Sequence, residues 1–497
     1  MEKANKMPHN SQSTPALPAA ATITVMDSLG HDEQREVSVD DLKSRFFMLG
    51  LQTGLALQQF VLCIVIVVAS QDPQSAADEL SGLYYPLFRG IFLFTWFGVM
   101  YGVLLFLWKR TGVDYATLLG VPSSSHNYHA VIRSSFTLAS VNFACFVIYF
   151  LTLAIDLTPD KNWWPALALL GTLFYVGWPI DILPEWRDAS QRAALARTII
   201  RVLCAPFSTA SFGHTFVADI FCSMPKCFSD VLYVTCIYYT GDVWAHGEWQ
   251  PGTKTWSGGE SMTCTPTNEG YQFALIVLSV LPFWLRLMQC VRGWYESGAT
   301  RHIANGIKYT SSITVIALSY TSGRSFAWLA FSIISTLYAL LWDIIVDWGL
   351  GPRRLRSFVH GEAAAPYNSV EDAWLLRPSG KRVFSTWVYY MAIVVNTLCR
   401  LGWAVYISNN SKVIAQHMTL VLGAVELYRR AQWALLRVEW EQIKRAAEEA
   451  DARLSGLRES LLTRGESAEA VQERMVAAKI QSNKKRMMSV YTLPEMP

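Results

Sequence analysis

Charge is what this sequence has least of. Of its 497 residues only 16% are Asp, Glu, Lys or Arg, while 52% are hydrophobic. A soluble domain of ordinary composition carries about a quarter charged residues, so a soluble catalytic or nucleic-acid-binding body is excluded. No cleavable signal peptide is expected, because the first 40 residues are polar and lack an apolar core. The first apolar segment then serves as an uncleaved membrane entry. The nine cysteines form no CxxC pair and no Cys/His spacing suited to zinc. HExxH and GxSxG are both missing, and the nine histidines fall mostly in loops, so a membrane-embedded enzyme lacks its usual groups and no cofactor or metal is expected.

Aromatic side chains are plentiful instead. Nineteen tryptophans and 13% Phe, Trp and Tyr suit a protein with two membrane interfaces to line. Apolar stretches of spanning length occur at about 46–70, 86–108, 130–154, 163–183, 211–240, 270–291, 304–321, 325–346, 383–407 and 412–436. A spanning helix needs about 20 apolar residues, which predicts an all-α polytopic protein of about ten transmembrane helices. Loops on one side (109–129, 184–205, 292–308, 347–382) hold fifteen Lys/Arg, against four in the opposite loops. The positive-inside rule then places both termini in the cytosol. The sequon Asn409-Asn410-Ser411 and tryptophans 163, 164, 244, 249 and 256 fall toward the lumenal side. Cys236 and Cys264 bracket the longest lumenal loop, where an oxidising lumen would allow them to pair.

The organisation follows from these segments. Residues 1–43 read as a disordered cytosolic leader, 44–205 as a four-helix scaffold, 206–440 as a six-helix bundle and 441–497 as a charged cytosolic tail. The two membrane halves differ in their misplaced charges. The first four spans hold almost none. The last six hold Asp219, Asp230, Arg286, Lys308, Asp343, Arg400, Glu426, Arg429 and Arg430. A charge at the centre of a membrane helix costs roughly 2.5–3.5 kcal/mol on insertion scales and usually faces an interior or a water-filled path. Arginine keeps its proton and offers a planar fork suited to phosphate or carboxylate, and Arg-lined paths favour anions. Buried salt bridges that fix helix packing are the competing explanation, with snorkelling less suited to the adjacent pair Arg429 and Arg430, which point roughly 100° apart.

The stretch "YALLWDIIVDWGL" (338–350) resembles the WDxxxDWGL signature of the EXS family, which includes the retroviral-receptor phosphate exporters. Similar to other family blocks, and in the same order, are "APFSTASFGHTFVADIFCSMPKCFSDVLYVTCIYY", "LPFWLRLMQCVRGW" through "HIANGIKYTSS", "RLGWAVYIS" and "ELYRRAQWALLRVEWE". The resemblance runs from about Arg45 to Glu441. It implies that the last six helices conduct inorganic phosphate, with contacts from Asp219, Lys308, Tyr309, Asp343, Arg400, Trp403, Arg429 and Arg430. Asp347 and Glu426 become supporting acids, and Arg301 part of a basic mouth. Asp343 and Asp347, one helical turn apart, would hold the basic groups and shape the cytosolic mouth.

The departures are specific. Cys222 stands where exporters tend to have Asn, Asn396 stands where an acid is common, and Arg301 is a displaced counterpart of an expected arginine. About 45 residues precede the first span, so the resemblance implies a member without the SPX sensor of regulated exporters. Such members resemble the fungal ER-retention-defective type, with an implied Golgi role in returning phosphate released by glycosylation and in retaining resident enzymes. Candidate partners are inorganic phosphate, membrane lipids, glycosyltransferase cytosolic tails, coat proteins and a second copy in a homodimer, but no nucleic acid. A trafficking adaptor with a structural bundle is the alternative to a transporter or channel.

Overall fold

A computed structural model describes residues 85–120, 128–155, 163–177, 189–241, 267–323, 325–352, 382–404 and 412–464. It also describes the short stretches 22–23, 37–38, 249–250, 255–256, 263–265, 376–377 and 469–478, and single positions at 467 and between 47 and 61. Most of the expected first span, most of the 347–382 loop and the sequon lie outside the described residues.

The described chain is almost wholly helical. Its helices are α1 (Tyr85–Arg110), α2 (Tyr115–Leu119), α3 (Tyr128–Ile155), α4 (Trp163–Gly177), α5 (Ala189–Leu203), α6 (Phe212–Phe221), α7 (Pro225–Thr240), α8 (Glu269–Ser297), α9 (Thr300–Thr321), α10 (Phe326–Trp342), α11 (Thr386–Arg400) and α12 (Lys412–Thr463). A short helix, α13, covers 469–478. Two two-residue antiparallel pairings also occur. Thr22–Ile23 (β1) pairs with Val37–Ser38 (β2) inside the leader read as disordered, and Trp249–Gln250 (β3) pairs with Thr255–Trp256 (β4) in the long loop.

Among the described residues, four segments are long and apolar enough to cross a membrane: Phe88–Arg110, Val131–Tyr149, Glu269–Ser297 and Phe326–Asp347. Counting the bent pair α6–α7 as one span makes five. The multi-pass, all-α class stands, and nothing among the described residues conflicts with the expected ten, although fewer are long and apolar enough there. The reasons are local. The described parts of α4 and α11 have 15 residues each, short of the roughly 20 a span needs, and α9 has the length but carries Arg301, His302 and Lys308.

Helix α1 is the hub, packing against α3, α7 and α12. Its sequence explains the close approach to α3. A Cβ added at Gly98 would sit 2.3 Å from Ser135 Oγ, and one at Gly102 would sit 2.3 Å from Ile132 Cγ1. Two small residues four apart let helices meet without a large hydrophobic driving force in lipid. Helices α8 and α9 form a tight hairpin, α10 packs on α9, and α11 packs on α12. The largest buried cluster joins Trp108, Trp348, Leu350, Tyr389, Trp433 and Leu436, so α1, α11, α12 and the segment after α10 share one core.

The break between α6 and α7 has a sequence cause. Pro225 opens α7, and proline lacks an N–H and disfavours a helical residue before it. The chain bends by 62° there. The bend leaves Ser223 between two helices, with its hydroxyl facing α12.

Candidate functional site

The end of α10 departs from the expected α-helical turn. Asp343–Asp347 forms a π-helical turn, closed by Trp348 N–H donating to the Asp343 carbonyl at 2.9 Å. Such turns are rare and cluster at functional sites. Gly349 ends it with φ +61, and a Cβ there would lie 2.5 Å from the Trp440 ring. Glycine is thus required twice, for backbone angle and for contact with α12. The indoles lock the two elements together: Trp348 Nε1 donates to the Trp433 carbonyl at 3.2 Å, and Trp433 Nε1 donates to Asp347 Oδ2 at 3.0 Å.

Three of the ion-paired groups in the bundle interior involve the expected acids. In the first, on α6, α8 and α9, Arg286 Nε donates to Asp219 Oδ1 at 2.7 Å and to the Tyr309 hydroxyl at 2.9 Å. Tyr309 Oη donates to Asp219 Oδ1 at 2.6 Å, and Arg286 Nη1 donates to Gln289 Oε1 at 2.6 Å. In the second, Asp343 Oδ2 accepts from Arg400 Nε at 3.0 Å and Nη2 at 2.5 Å, from Asn396 Nδ2 at 3.1 Å and from Arg429 Nη1 at 3.5 Å. Arg429 also forks onto Glu426 at 2.6 and 2.7 Å. In the third, Asp347 meets Arg437 at 3.4 Å.

Two cations in this interior are different. Arg430 is buried, yet among the described residues its Nε donates to Ser223 Oγ alone, at 2.7 Å, and its guanidinium lies 4.7 Å from the Trp433 ring centroid. Lys308 Nζ lies 4.5 Å from the Tyr309 ring and 5.1 Å from the Trp342 ring. Among the described residues neither reaches a carboxylate at ion-pair distance, although both lie within electrostatic reach of Asp219 and Asp343. Arg430 is buried and Lys308 half-buried; unmatched charge is costly where burial is deep, and a bound anion would complete the arrangement.

Most of the expected residues therefore converge: Asp219, Lys308, Tyr309, Asp343, Arg400, Arg429 and Arg430, with Asp347 and Glu426 beside them. Two stand apart. Trp403 turns to α10, donating to Thr336 Oγ1 at 3.0 Å and meeting Trp328 edge-on. Arg301 is exposed at the start of α9. Asp347 is not at an open mouth but buried beneath Trp433. Cys236 and Cys264 are joined by a disulfide, with Cα atoms 5.9 Å apart.

Sequence reasoning passed over several partners. Arg89 in α1 pairs with Asp230 through Nε at 2.8 Å and Nη2, and its position in "YYPLFRGIF" was a visible signal. Ser223 gave none, being a polar residue without charge, and Asn396 was marked only as a departure from the family pattern. Glu439 is fully buried and accepts from Arg377 Nη2 at 2.9 Å, the Tyr389 hydroxyl at 2.5 Å and Val383 N–H at 2.9 Å. Beyond the last apolar stretch, Glu441 accepts from Lys444 at 2.7 Å and Arg437 at 3.0 Å. Burial opposes its ionisation, but these cations outweigh burial and hold its carboxyl down at about 2.

Comparison with known proteins gives the family. The chain is 24% identical to SPX and EXS domain-containing protein 1 of Dictyostelium discoideum, over 80% of this chain and 41% of the relative. It is 26% identical to Phosphate transporter PHO1 homolog 1 of Arabidopsis thaliana, over 80% and 48%. It is 25% identical to Protein SYG1 of Saccharomyces cerevisiae, over 80% and 43%. The chain thus spans less than half the length of these relatives. The EXS family model matches residues 84–443, a range that holds α1 through the buried part of α12 and every charge pair of the interior. The chain belongs to the EXS family.

Proposed function

We propose that this protein passes inorganic phosphate across a membrane through the bundle formed by residues 206–440. The observation that carries this reading is the pair of interior cations, Lys308 and Arg430, that have aromatic and hydroxyl neighbours but no carboxylate. Structural salt bridges fixing helix packing would leave no such remainder. The names of relatives in Arabidopsis thaliana as phosphate transporters support the choice of anion.

The finer reading is a Golgi transporter or channel that moves phosphate from lumen to cytosol, supports glycosylation and helps to retain resident enzymes. Both termini then face the cytosol, in keeping with the fifteen-to-four split of Lys/Arg between opposite loops. The Golgi assignment draws on the resemblance to the fungal ER-retention-defective type. Labelled-phosphate flux in liposomes holding the purified full chain tests transport, and flux no greater than in empty liposomes sinks it. Protease protection in sealed Golgi vesicles tests orientation: the tail after residue 441 should be digested from outside, and 241–269 should be spared.

A further inference from the structure

Matching the interior charges leaves a remainder of known size. Asp219 is matched by Arg286, Asp230 by Arg89, Asp343 by Arg400, Glu426 by Arg429, Asp347 by Arg437 and Glu439 by Arg377. Among the described residues Lys308 and Arg430 are left over. The other polar groups around them, Tyr309, Cys222, Ser223, Asn396 and Gln289, are ordinarily uncharged at neutral pH. These interior side chains thus carry two formal positive charges in excess, held against the rings of Tyr309, Trp342 and Trp433.

Building on the phosphate reading, we propose that the path takes its anion as a dianion, hydrogen phosphate rather than dihydrogen phosphate. A divalent anion brings the interior to neutrality. A monovalent one leaves a cation uncompensated among apolar helices, where unmatched charge is least tolerated. The two free cations also suit a tetrahedral oxyanion. Arg430 presents a planar fork that engages two oxygens, and Lys308 is a point charge for a third. When the site is empty the rings hold both cations by cation–π attraction, which is weaker than an ion pair and so yields to the incoming anion.

Two tetrahedral anions of fixed charge test this: sulfate, a dianion, and dimethyl phosphate, a monoanion. In liposomes with the full chain, sulfate should inhibit phosphate flux at a concentration at least about tenfold lower than dimethyl phosphate does, equivalent to about 1.4 kcal/mol. At constant total phosphate, flux should rise as pH passes upward through the second ionisation of phosphate. Lys308→Met and Arg430→Met each remove one excess charge and should abolish or reverse the preference for sulfate, whereas Lys308→Arg should keep it. Dimethyl phosphate competing as well as sulfate in the wild type, or a Lys308→Met protein with an unchanged ratio, overturns the proposal. Should the wild type carry no phosphate, the transport reading fails by itself. Thermal stabilisation of the detergent-purified wild type by each anion then still decides the charge count, with stronger stabilisation by sulfate supporting it and equal stabilisation overturning it.

Discussion

Asp343 and Arg429 lie 86 residues apart in sequence, yet Arg429 Nη1 reaches both Asp343 Oδ2, at 3.5 Å, and Asn396 Oδ1, at 3.2 Å. One guanidinium therefore ties the π turn, α11 and α12 together. Its neighbour Arg430 ties nothing to a carboxylate. Adjacent arginines with the same chemistry thus have different consequences when lost.

Arg430→Gln should abolish most phosphate flux while leaving the protein assembled, because no acid loses its partner. Arg429→Gln should cost stability as well, since Glu426 and Asp343 each lose a partner. Breaking a buried pair from one side typically costs about 3–5 kcal/mol. Flux in liposomes and thermal unfolding in detergent, measured on both variants, separate the two outcomes. Equal destabilisation would remove the distinction.

Asp343→Asn should damage assembly more than Asp347→Asn. Asp343 accepts from three side chains across two helices, whereas Asp347 keeps the Trp433 indole as a donor that an amide oxygen can still satisfy. Adding Arg400→Met to Asp343→Asn should restore part of the folded yield but not the flux, because the anion path still lacks a cation. Full recovery of flux would show that Arg400 only neutralises a structural charge.

Asn396→Asp should weaken anion uptake by about tenfold, the effect of about 1.4 kcal/mol, without unfolding the protein. The substitution puts an oxygen where Nδ2 now donates to Asp343 at 3.1 Å, and two carboxylates at that distance repel unless they share a proton. Flux of the variant should therefore become steeply pH-dependent. An unchanged pH profile would assign Asn396 a packing role only.

Glu439→Gln and Arg377→Met should each lower folded yield, with an effect on the order of 3–5 kcal/mol for a one-sided loss. Glu439 has no exposed surface, and it also fixes Tyr389 and the start of α11. Because α11 carries Asn396 and Arg400 at its other end, surviving protein should show weaker phosphate affinity. Wild-type yield in either single variant would contradict the burial.

The charged residues of the site were legible because an ion inside an apolar run stands out against its neighbours. Asp219, Lys308, Asp343, Arg400, Arg429 and Arg430 could all be read from that contrast. Their pairing could not. Whether Arg286 or Arg430 is the matched one depends on which helices approach, and Asp219 and Arg286 are 67 residues apart. The π turn was hidden for a related reason: "WDIIVDWGL" has no residue that forbids an ordinary helix before Gly349, and the wider turn is set by contacts of Trp348 and Asp347 with α12. The bend at Pro225 was readable in kind, but the placement of Ser223 within it was not.

Helix α12 runs unbroken for 52 residues, about 78 Å at 1.5 Å per residue. Glu426, Arg429, Arg430, Trp433, Arg437, Glu439 and Glu441 are all fixed to that one rod. A continuous helix has no hinge between its far third, beyond residue 445, and the turn of Arg429 and Arg430, so a push or twist there would be passed along toward them. On the proposed reading the segment outside the interior would be a handle on the anion site, and a partner that grips it would act on the path through the helix itself.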